Sequence, residues 1–192
     1  MTNSNLFLFL LMLFMVNLSF ARDLQQDLQY YQEQLRQNPQ DPNVNYNMGQ
    51  VYFFMGKTDE AIRYLERAIH LNDQDSEAML KLASIYRKIG HLSEALQLLK
   101  TAAQIDASNC EIWYETGVVH SDLADYQAGI AAFQKALHLS RSEDQKFLII
   151  YYTGLLHLSN RDWENYADCL RRLKPSPKYY QELEKLGRLW KN

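Results

Sequence analysis

Hydrophobic residues in the middle of the chain recur at intervals of three and four positions, which is the spacing of one face of an α-helix. Met48 and Tyr52 are four residues apart, and so are Leu82 and Tyr86 further along. Only 4 Pro and 7 Gly occur in 192 residues, which argues against a β-rich or loop-rich chain. The pattern therefore predicts an all-α protein built from amphipathic helices.

The same chemistry returns every 34 residues, which indicates internal repeats of a helix pair. Six sets of positions share a residue type at that spacing: Gly49, Ala83 and Gly117; Gly56, Gly90 and Ala124; Ala61, Ala95 and Gly129; Leu65, Leu99 and Phe133; Ala68, Ala102 and Ala136; Leu71, Ile105 and Leu139. The alanine set that begins at Ala68 is expected where two helices approach closely, because a larger side chain would overpack the contact by about 1–3 kcal/mol. The set that begins at Gly56 is expected where a first helix ends in left-handed backbone.

These residues resemble the pattern of the tetratricopeptide repeat. Three units fit it: 42–75 with Met48, Gly49, Tyr52, Ala61, Leu65 and Ala68; 76–109 with Leu82, Ala83, Tyr86, Ala95, Leu99 and Ala102; and 110–143 with Trp113, Gly117, Gly129, Phe133 and Ala136. The resemblance implies an α-α superhelical solenoid of stacked helix pairs. Departures from the pattern are Asp73, Ala107 and Arg141 in place of the usual proline, and His120 in place of the expected Tyr.

The flanking segments extend this solenoid. Residues 22–41 are predicted to be an N-terminal capping helix or half-repeat, and residues 144–174 a degenerate fourth unit with an extra residue. Residues 175–192 are predicted to form a C-terminal capping helix. Its packed side should carry Tyr179, Leu183, Leu186 and Trp190.

The first 21 residues have the layout of a secretory signal peptide. They contain no charged side chain, and an apolar run from Leu6 to Leu18 precedes Ser19-Phe20-Ala21, which offers small residues before a cleavage site. The run is short for a membrane span, which takes roughly 20 residues. We therefore expect an exported protein, periplasmic or secreted, with no membrane span after signal cleavage; an uncleaved N-terminal anchor is the alternative.

Charge and motifs give no sign of catalysis, a cofactor or nucleic-acid binding. The net charge is −3, whereas a nucleic-acid binder needs a basic face to neutralise phosphates. The five histidines form no metal-ligand pair, and no nucleophile elbow or phosphate-binding loop occurs. Cys110 and Cys169 are expected on non-adjacent helices and should stay free. We expect that the protein has no enzymatic activity, binds no metal and has no small-molecule substrate.

The resemblance also implies a binding surface. First helices of tetratricopeptide repeats line a concave groove, and the matching positions predict these partner-binding residues: Asn43, Tyr46, Gln50, Phe53, Phe54, Leu80, Ser84, Arg87, Lys88, Tyr114, Val118, Asp122 and Tyr152. In this interpretation the aromatic residues hold apolar side chains of a partner, while Arg87 and Lys88 hold a carboxylate. Alternatively, some of the aromatic side chains pack against the N-terminal helix or against each other.

The function predicted from these features is that of an exported adaptor that binds a partner peptide or helix in the groove. The alternative is a constitutive structural or assembly-factor subunit of a cell-envelope complex, with the groove filled by the chain itself or by a second copy. The carboxylate clamp of co-chaperones in this family does not fit, because Glu111 and Glu115 occupy two of its positions. The sequence leaves the oligomeric state open.

Overall fold

A computed structural model describes residues 22–191, and within that range the chain forms ten helices and no strand. The helices are α1 (22–37), α2 (Pro42–Phe54), α3 (Thr58–Leu71), α4 (Ser76–Lys88), α5 (Leu92–Ile105), α6 (Cys110–Asp122), α7 (Tyr126–Leu139), α8 (Glu143–Ser159), α9 (Trp163–Leu173) and α10 (Pro177–Lys191). None of them has the length and apolar character needed to cross a bilayer. The predicted signal peptide, 1–21, lies outside the described residues and stays a prediction.

The described residues divide into two compact units, 22–78 and 79–191. In the first unit, Leu28 of α1 joins Met48 and Val51 of α2 in one buried cluster. Gly49 lies where α2 meets α3, since a Cβ atom there would come within 2.7 Å of the Leu65 side chain. The predicted close approach of paired helices is therefore present in this unit.

The second unit repeats this contact between α6 and α7. A Cβ atom on Gly117 would lie 2.6 Å from the ring of Phe133, which is fully buried. Phe133 also belongs to a cluster with Ile149 and Leu156 of α8, so that α8 packs on the α6–α7 pair. Small residues thus set the distance between helices, and one large residue fills the space that they leave.

The first helix of each pair ends in a left-handed turn, as the sequence predicted for three positions. The backbone φ is +73° at Gly56, +84° at Gly90 and +57° at Ala124. At each turn the helix end is closed by a hydrogen bond from a backbone amide to the carbonyl five residues earlier. An example is the 2.9 Å bond from Lys57 N to Tyr52 O.

A fourth turn of the same kind is centred on Arg161, where φ is +57°. It is closed by a 2.8 Å bond from the amide of Asp162 to the carbonyl of His157. Arg161 lies 37 positions after Ala124, so the last unit carries three extra residues before this turn. The prediction of one extra residue was therefore wrong. α8 has 17 residues where α6 has 13, and it begins one position earlier in the 34-residue repeat, which leaves three extra residues.

Each turn is also bridged by a pair of side chains, from the last part of the first helix to the residue before the second helix. Tyr52 lies under the ammonium of Lys57, and the rings of Tyr86 and His91 stack. In the third and fourth turns histidine and aspartate form the bridge, His120 with Asp125 at 3.4 Å and His157 with Asp162 at 3.0 Å. His120 therefore takes the place of the expected Tyr together with a change of its partner.

The C-terminal helix packs on the last pair, with one departure from the prediction. Leu183, Tyr179 and Leu186 contact the cluster of α8 and α9, as expected. Trp190, predicted on the same packed side, is instead 53% exposed. In the described residues the cluster ends on α10 at Leu186, so that Trp190 extends beyond it.

Candidate partner-binding surface

The predicted groove residues of the first unit lie on α2, where a polar cap precedes an aromatic end. Asp41 caps the helix by accepting hydrogen bonds from the amides of Asn43 and Val44, and it leaves the Asn43 side chain exposed. The hydroxyl of Tyr46 donates to Glu77 at 3.4 Å. Burial, together with the negative charge of Glu77, raises the pKa of Tyr46 to about 12.

At the other end of α2, aromatic side chains reach the surface. The rings of Phe53 and Phe54 meet edge to face with their centroids 5.8 Å apart, and Phe54 is 54% exposed. Gln50 lies one turn earlier and is half-buried. The α2 surface of the first unit therefore combines amide and hydroxyl groups with exposed aromatic carbon.

In the second unit, Arg87 of α4 joins two carboxylates of α6. Its Nε donates to Glu115 at 2.7 Å, and Nη1 donates to Asp122 at 3.4 Å. Burial alone would lower the pKa of Arg87, but the hydrogen bond and the charge of Glu115 outweigh it and the pKa is raised. Because Arg87 is already paired twice, its expected role as a clamp for a partner's carboxylate does not fit this arrangement.

Glu115 was not among the predicted groove residues. It is 8% exposed, and its carboxylate lies 2.7 Å from Arg87 Nε. The sequence had placed Glu115 at a position of the co-chaperone clamp and next to Tyr114, but neither observation predicts that its carboxylate pairs with Arg87. A buried carboxylate needs a paired cation, and that requirement explains why Arg87 lies against α6.

Aromatic residues of α6 and α8 pack against each other, which was the alternative interpretation of the aromatic lining. Tyr114 and Tyr152 meet edge to face at 5.7 Å, and Tyr152 meets Tyr151 at 5.5 Å. Tyr151 in turn lies 5.5 Å from Tyr179 of α10. Burial, and then the neighbouring Tyr152, raises the pKa of Tyr114 far above its usual value. Both Tyr114 and Tyr152 keep part of their surface accessible.

The other predicted residues of the second unit differ in accessibility. Leu80 is only 8% exposed and offers little surface, whereas Ser84 and Val118 are half-buried. Lys88 and Asp122 are exposed. We define the first-helix surface as the accessible set Ser84, Arg87, Lys88, Tyr114, Val118, Asp122 and Tyr152, all in the second unit. Whether a partner binds these residues stays a prediction.

Reactive chemistry is weak at the two thiols. Cys169 is buried, and burial raises the pKa of its thiol to about 11. Burial, and then the charge of Glu111, also raises the pKa of Cys110. A protonated thiol is a poor nucleophile and a poor metal ligand. Within residues 22–191, no group of histidine, cysteine and acidic side chains is arranged to hold a metal ion.

Paired helices, small residues at their contacts and left-handed turns between them define an α-helical repeat protein. Two models of the tetratricopeptide repeat match the sequence, one over residues 55–114 and the other over residues 111–143. The chain therefore contains tetratricopeptide repeats over residues 55–143, and its predicted all-α solenoid fold class is confirmed. Such repeats serve as protein-interaction scaffolds and are generally without catalytic activity. No curated protein is significantly similar to the chain in sequence.

Solved structures of similar fold include bacterial and multi-subunit proteins. A MamA fragment from Desulfovibrio magneticus RS-1 has a TM-score of 0.67 and 18% identity, with 86% of each chain covered. YrrB, described as a TPR protein with an unusual peptide-binding site, has a TM-score of 0.70 and 17% identity, with 88% of this chain and 87% of YrrB covered. The APC/C hetero-tetramer Cut9–Hcn1 has a TM-score of 0.70 and 18% identity, and the match covers 86% of this chain but only 34% of that one. At these identities the likeness concerns the fold.

Proposed function

We propose that the protein is a non-catalytic adaptor that binds a segment of a partner protein on its first-helix surface. The observation that carries this proposal is the arrangement of half-buried Tyr114 and Tyr152 beside the paired Arg87 and Asp122. Tyrosine and arginine are favoured as interface anchors because they combine apolar area with directed hydrogen bonds. The peptide-binding site named for YrrB supports the same type of function for this fold.

The ion-pair network is better explained by recognition than by stability alone. A buried or half-buried ion pair contributes little net stability, because desolvation offsets most of its attraction. Glu115 and Arg87 are tightly joined, whereas Asp122 is held at 3.4 Å and its side chain is 42% exposed. Asp122 can therefore turn from Arg87 to a donor on a partner at small cost, while Glu115 keeps the guanidinium in place.

The alternative function is that of a constitutive subunit whose first-helix surface is filled by the chain's own residues or covered by another copy of the chain. The specific observation in its favour is the extent to which Tyr114, Tyr152, Tyr151 and Tyr179 already pack on one another. The proposed compartment, periplasm or secretory space, depends on the apolar N-terminal segment and is a separate proposal. Processing at Ala21, detected by N-terminal sequencing of the purified protein, would support it.

Site-directed photo-crosslinking tests the adaptor proposal. A photoreactive phenylalanine analogue at Lys88 or at Asp122, both exposed on the first-helix surface, should yield one crosslinked partner protein in the source cells. The same analogue at Gln97 of α5 or Gln127 of α7, which are also exposed but lie on second helices, is the matched control. Mass spectrometry of the products identifies what is bound.

Three results of this experiment have different meanings. A foreign protein crosslinked from Lys88 and Asp122, but not from the controls, supports the adaptor. A second copy of the chain crosslinked from the same positions supports the alternative subunit role. Equal products from all four positions, or none from any, would contradict binding on the first-helix surface. Melting temperature and circular dichroism of each substituted protein show whether it is folded.

A further inference from the structure

Two clefts flank Trp113 on a side of α6 that the predicted groove residues do not use. One cleft, of about 470 Å³, lies between α5 and α6 and is lined by Leu96, Leu99 and Ala103. The other, of about 540 Å³, lies between α6 and α7 and includes Ala131. Trp113 contributes to the walls of both clefts. Volumes of this size suit apolar side chains of a ligand.

The position of these clefts on α6 separates them from the first-helix surface. Trp113, Thr116 and His120 line the first cleft and are spaced three and four residues apart, so they form one stripe of the helix. Tyr114 and Val118 lie on a different stripe, rotated from those residues by roughly 100–160° at about 100° per residue. A ligand in the clefts would therefore contact α6 on another side from a partner on the first-helix surface.

Trp113 is held in place by two polar contacts. Its indole nitrogen donates a 2.9 Å hydrogen bond to the carbonyl of Ala107, which precedes α6. The ammonium of Lys135 lies 4.0 Å from the centre of its ring. The ring is thus a fixed wall, and a ligand that enters either cleft does not have to order it first.

The charged side chains that line the clefts have one sign. Lys100 lines the first cleft and Lys135 the second, and both side chains are exposed. Among the described residues that line the clefts, His120 and His138 are the other titratable ones and none is a carboxylate; Asp125 lies 3.4 Å from His120 but is not part of the lining. The first-helix surface differs in this respect, because Asp122 and Glu115 lie there beside Arg87.

We propose that the two clefts form a second binding site, which takes an acidic segment of a partner protein. Two apolar side chains of the segment enter the clefts on either side of Trp113, and its carboxylates pair with Lys100 and Lys135. The apolar walls supply the affinity, and the one-signed charge selects an acidic over a basic segment. This site is independent of the one in the proposed function.

An array of random 12-residue peptides, probed with the labelled full chain, tests this site. The peptides bound should be enriched in Asp and Glu and carry two apolar residues, and their affinity should fall as salt is raised from 50 to 300 mM. The double variant Lys100→Glu with Lys135→Glu should lower the affinity for the best-bound peptide by at least tenfold, as measured by fluorescence anisotropy. The matched control is Lys174→Glu with Lys185→Glu, which changes the net charge equally at exposed lysines outside the clefts.

A variant that keeps the charges tests the clefts themselves. Ala131→Trp places a large side chain in the second cleft from an exposed position, so we expect a loss of at least fivefold in affinity without a change in melting temperature. The proposal is overturned if no peptide binds, if the bound peptides are basic, or if the clefts' variants bind like the control. It is also overturned if sedimentation shows a dimer of the parent chain that the Lys100→Glu, Lys135→Glu variant does not form, since a second copy would then be the occupant.

Discussion

The hydroxyl of Tyr166 on α9 donates a 2.8 Å hydrogen bond to the backbone carbonyl of Leu183 on α10. Tyr166 is the fourth residue after the N-cap Asp162, the place that Ala61, Ala95 and Gly129 occupy in α3, α5 and α7. A small residue is required there in the earlier pairs, whereas in the last pair the ring reaches α10. The small residue is found on α10 instead, at Gly187, where a Cβ atom would collide with the Tyr166 ring and hydroxyl.

Replacing Gly187 by alanine should therefore loosen the C-terminal helix. We expect Gly187→Ala to lower the free energy of unfolding by about 2 kcal/mol, because the new methyl group overpacks a buried contact. Tyr166→Phe should cost about 1 kcal/mol through loss of the buried hydrogen bond. Urea denaturation followed by circular dichroism measures both effects.

The double variant separates this contact from a general helix effect. Because the phenylalanine lacks the hydroxyl that the methyl group meets, the two changes should cost less together than the sum of the single changes. Additive losses, or a Gly187→Ala protein as stable as the parent, would show that Tyr166 and Gly187 are not in contact.

The left-handed turns give a second prediction, in the direction of greater stability. Ala124 has φ +57°, in the region where a Cβ atom costs roughly 1–2 kcal/mol. We expect Ala124→Gly to raise the free energy of unfolding by about 0.5–1 kcal/mol, after the greater entropy of glycine in the unfolded chain is subtracted. The reverse change, Gly90→Ala at φ +84°, should destabilise by a similar amount. If both variants melt at the parent's temperature, the turn geometry is wrong.

The repeated turns show how far the sequence alone leads. Gly56, Gly90 and Ala124 could be placed because their spacing of 34 and their small side chains are visible without coordinates. Arg161 could not, since an arginine gives no left-handed signal and α8 is longer than the helices before it. The repeat position of Tyr166 could not be recognised for a related reason, because a large residue replaces the small one that marks this position in the other units.

The sequence also could not predict which side chains of different helices contact each other. Position in the repeat identified Arg87 and Asp122, but periodicity cannot tell which side chains meet across two helices. The contact between Arg87 and Glu115 joins residues 28 positions apart, a spacing that differs from the repeat length. The side-chain register of α4 against α6 decides it, and that register depends on how buried side chains pack.

The Arg87 network predicts unequal effects of removing its members. Arg87→Met leaves Glu115 buried without a cation, so we expect a loss of about 2 kcal/mol, less than for a fully buried pair because part of the guanidinium is exposed. Asp122→Asn removes an exposed partner at 3.4 Å and should cost less than about 1 kcal/mol. Thermal and urea denaturation at neutral pH would measure both.

A double variant provides the control for this pair. Arg87→Met with Glu115→Gln removes both charges, so it should recover most of the stability that Arg87→Met loses. An Arg87→Met protein that is as stable as the parent, or a double variant that is no better than the single one, would be inconsistent with a buried pair.

Tyr151 predicts a specific loss of stability at high pH. Burial, followed by a hydrogen bond to Glu182 and the charge of that carboxylate, raises the pKa of Tyr151 from 10.0 to about 12. A raised pKa means that folding favours the protonated hydroxyl, so this contribution is complete below pH 10 and is lost as the pH rises towards 12. Between pH 9 and pH 11 the loss from this one group should be about 1 kcal/mol.

Tyr151→Phe has no proton to lose, so it should be less sensitive to alkali than the parent by that amount. Tyr30→Phe, the same change at a ring that is 59% exposed, is the matched control and should follow the parent. Urea denaturation at the two pH values decides the matter: if Tyr151→Phe loses as much stability as the parent, the hydroxyl is not protected by burial and Glu182.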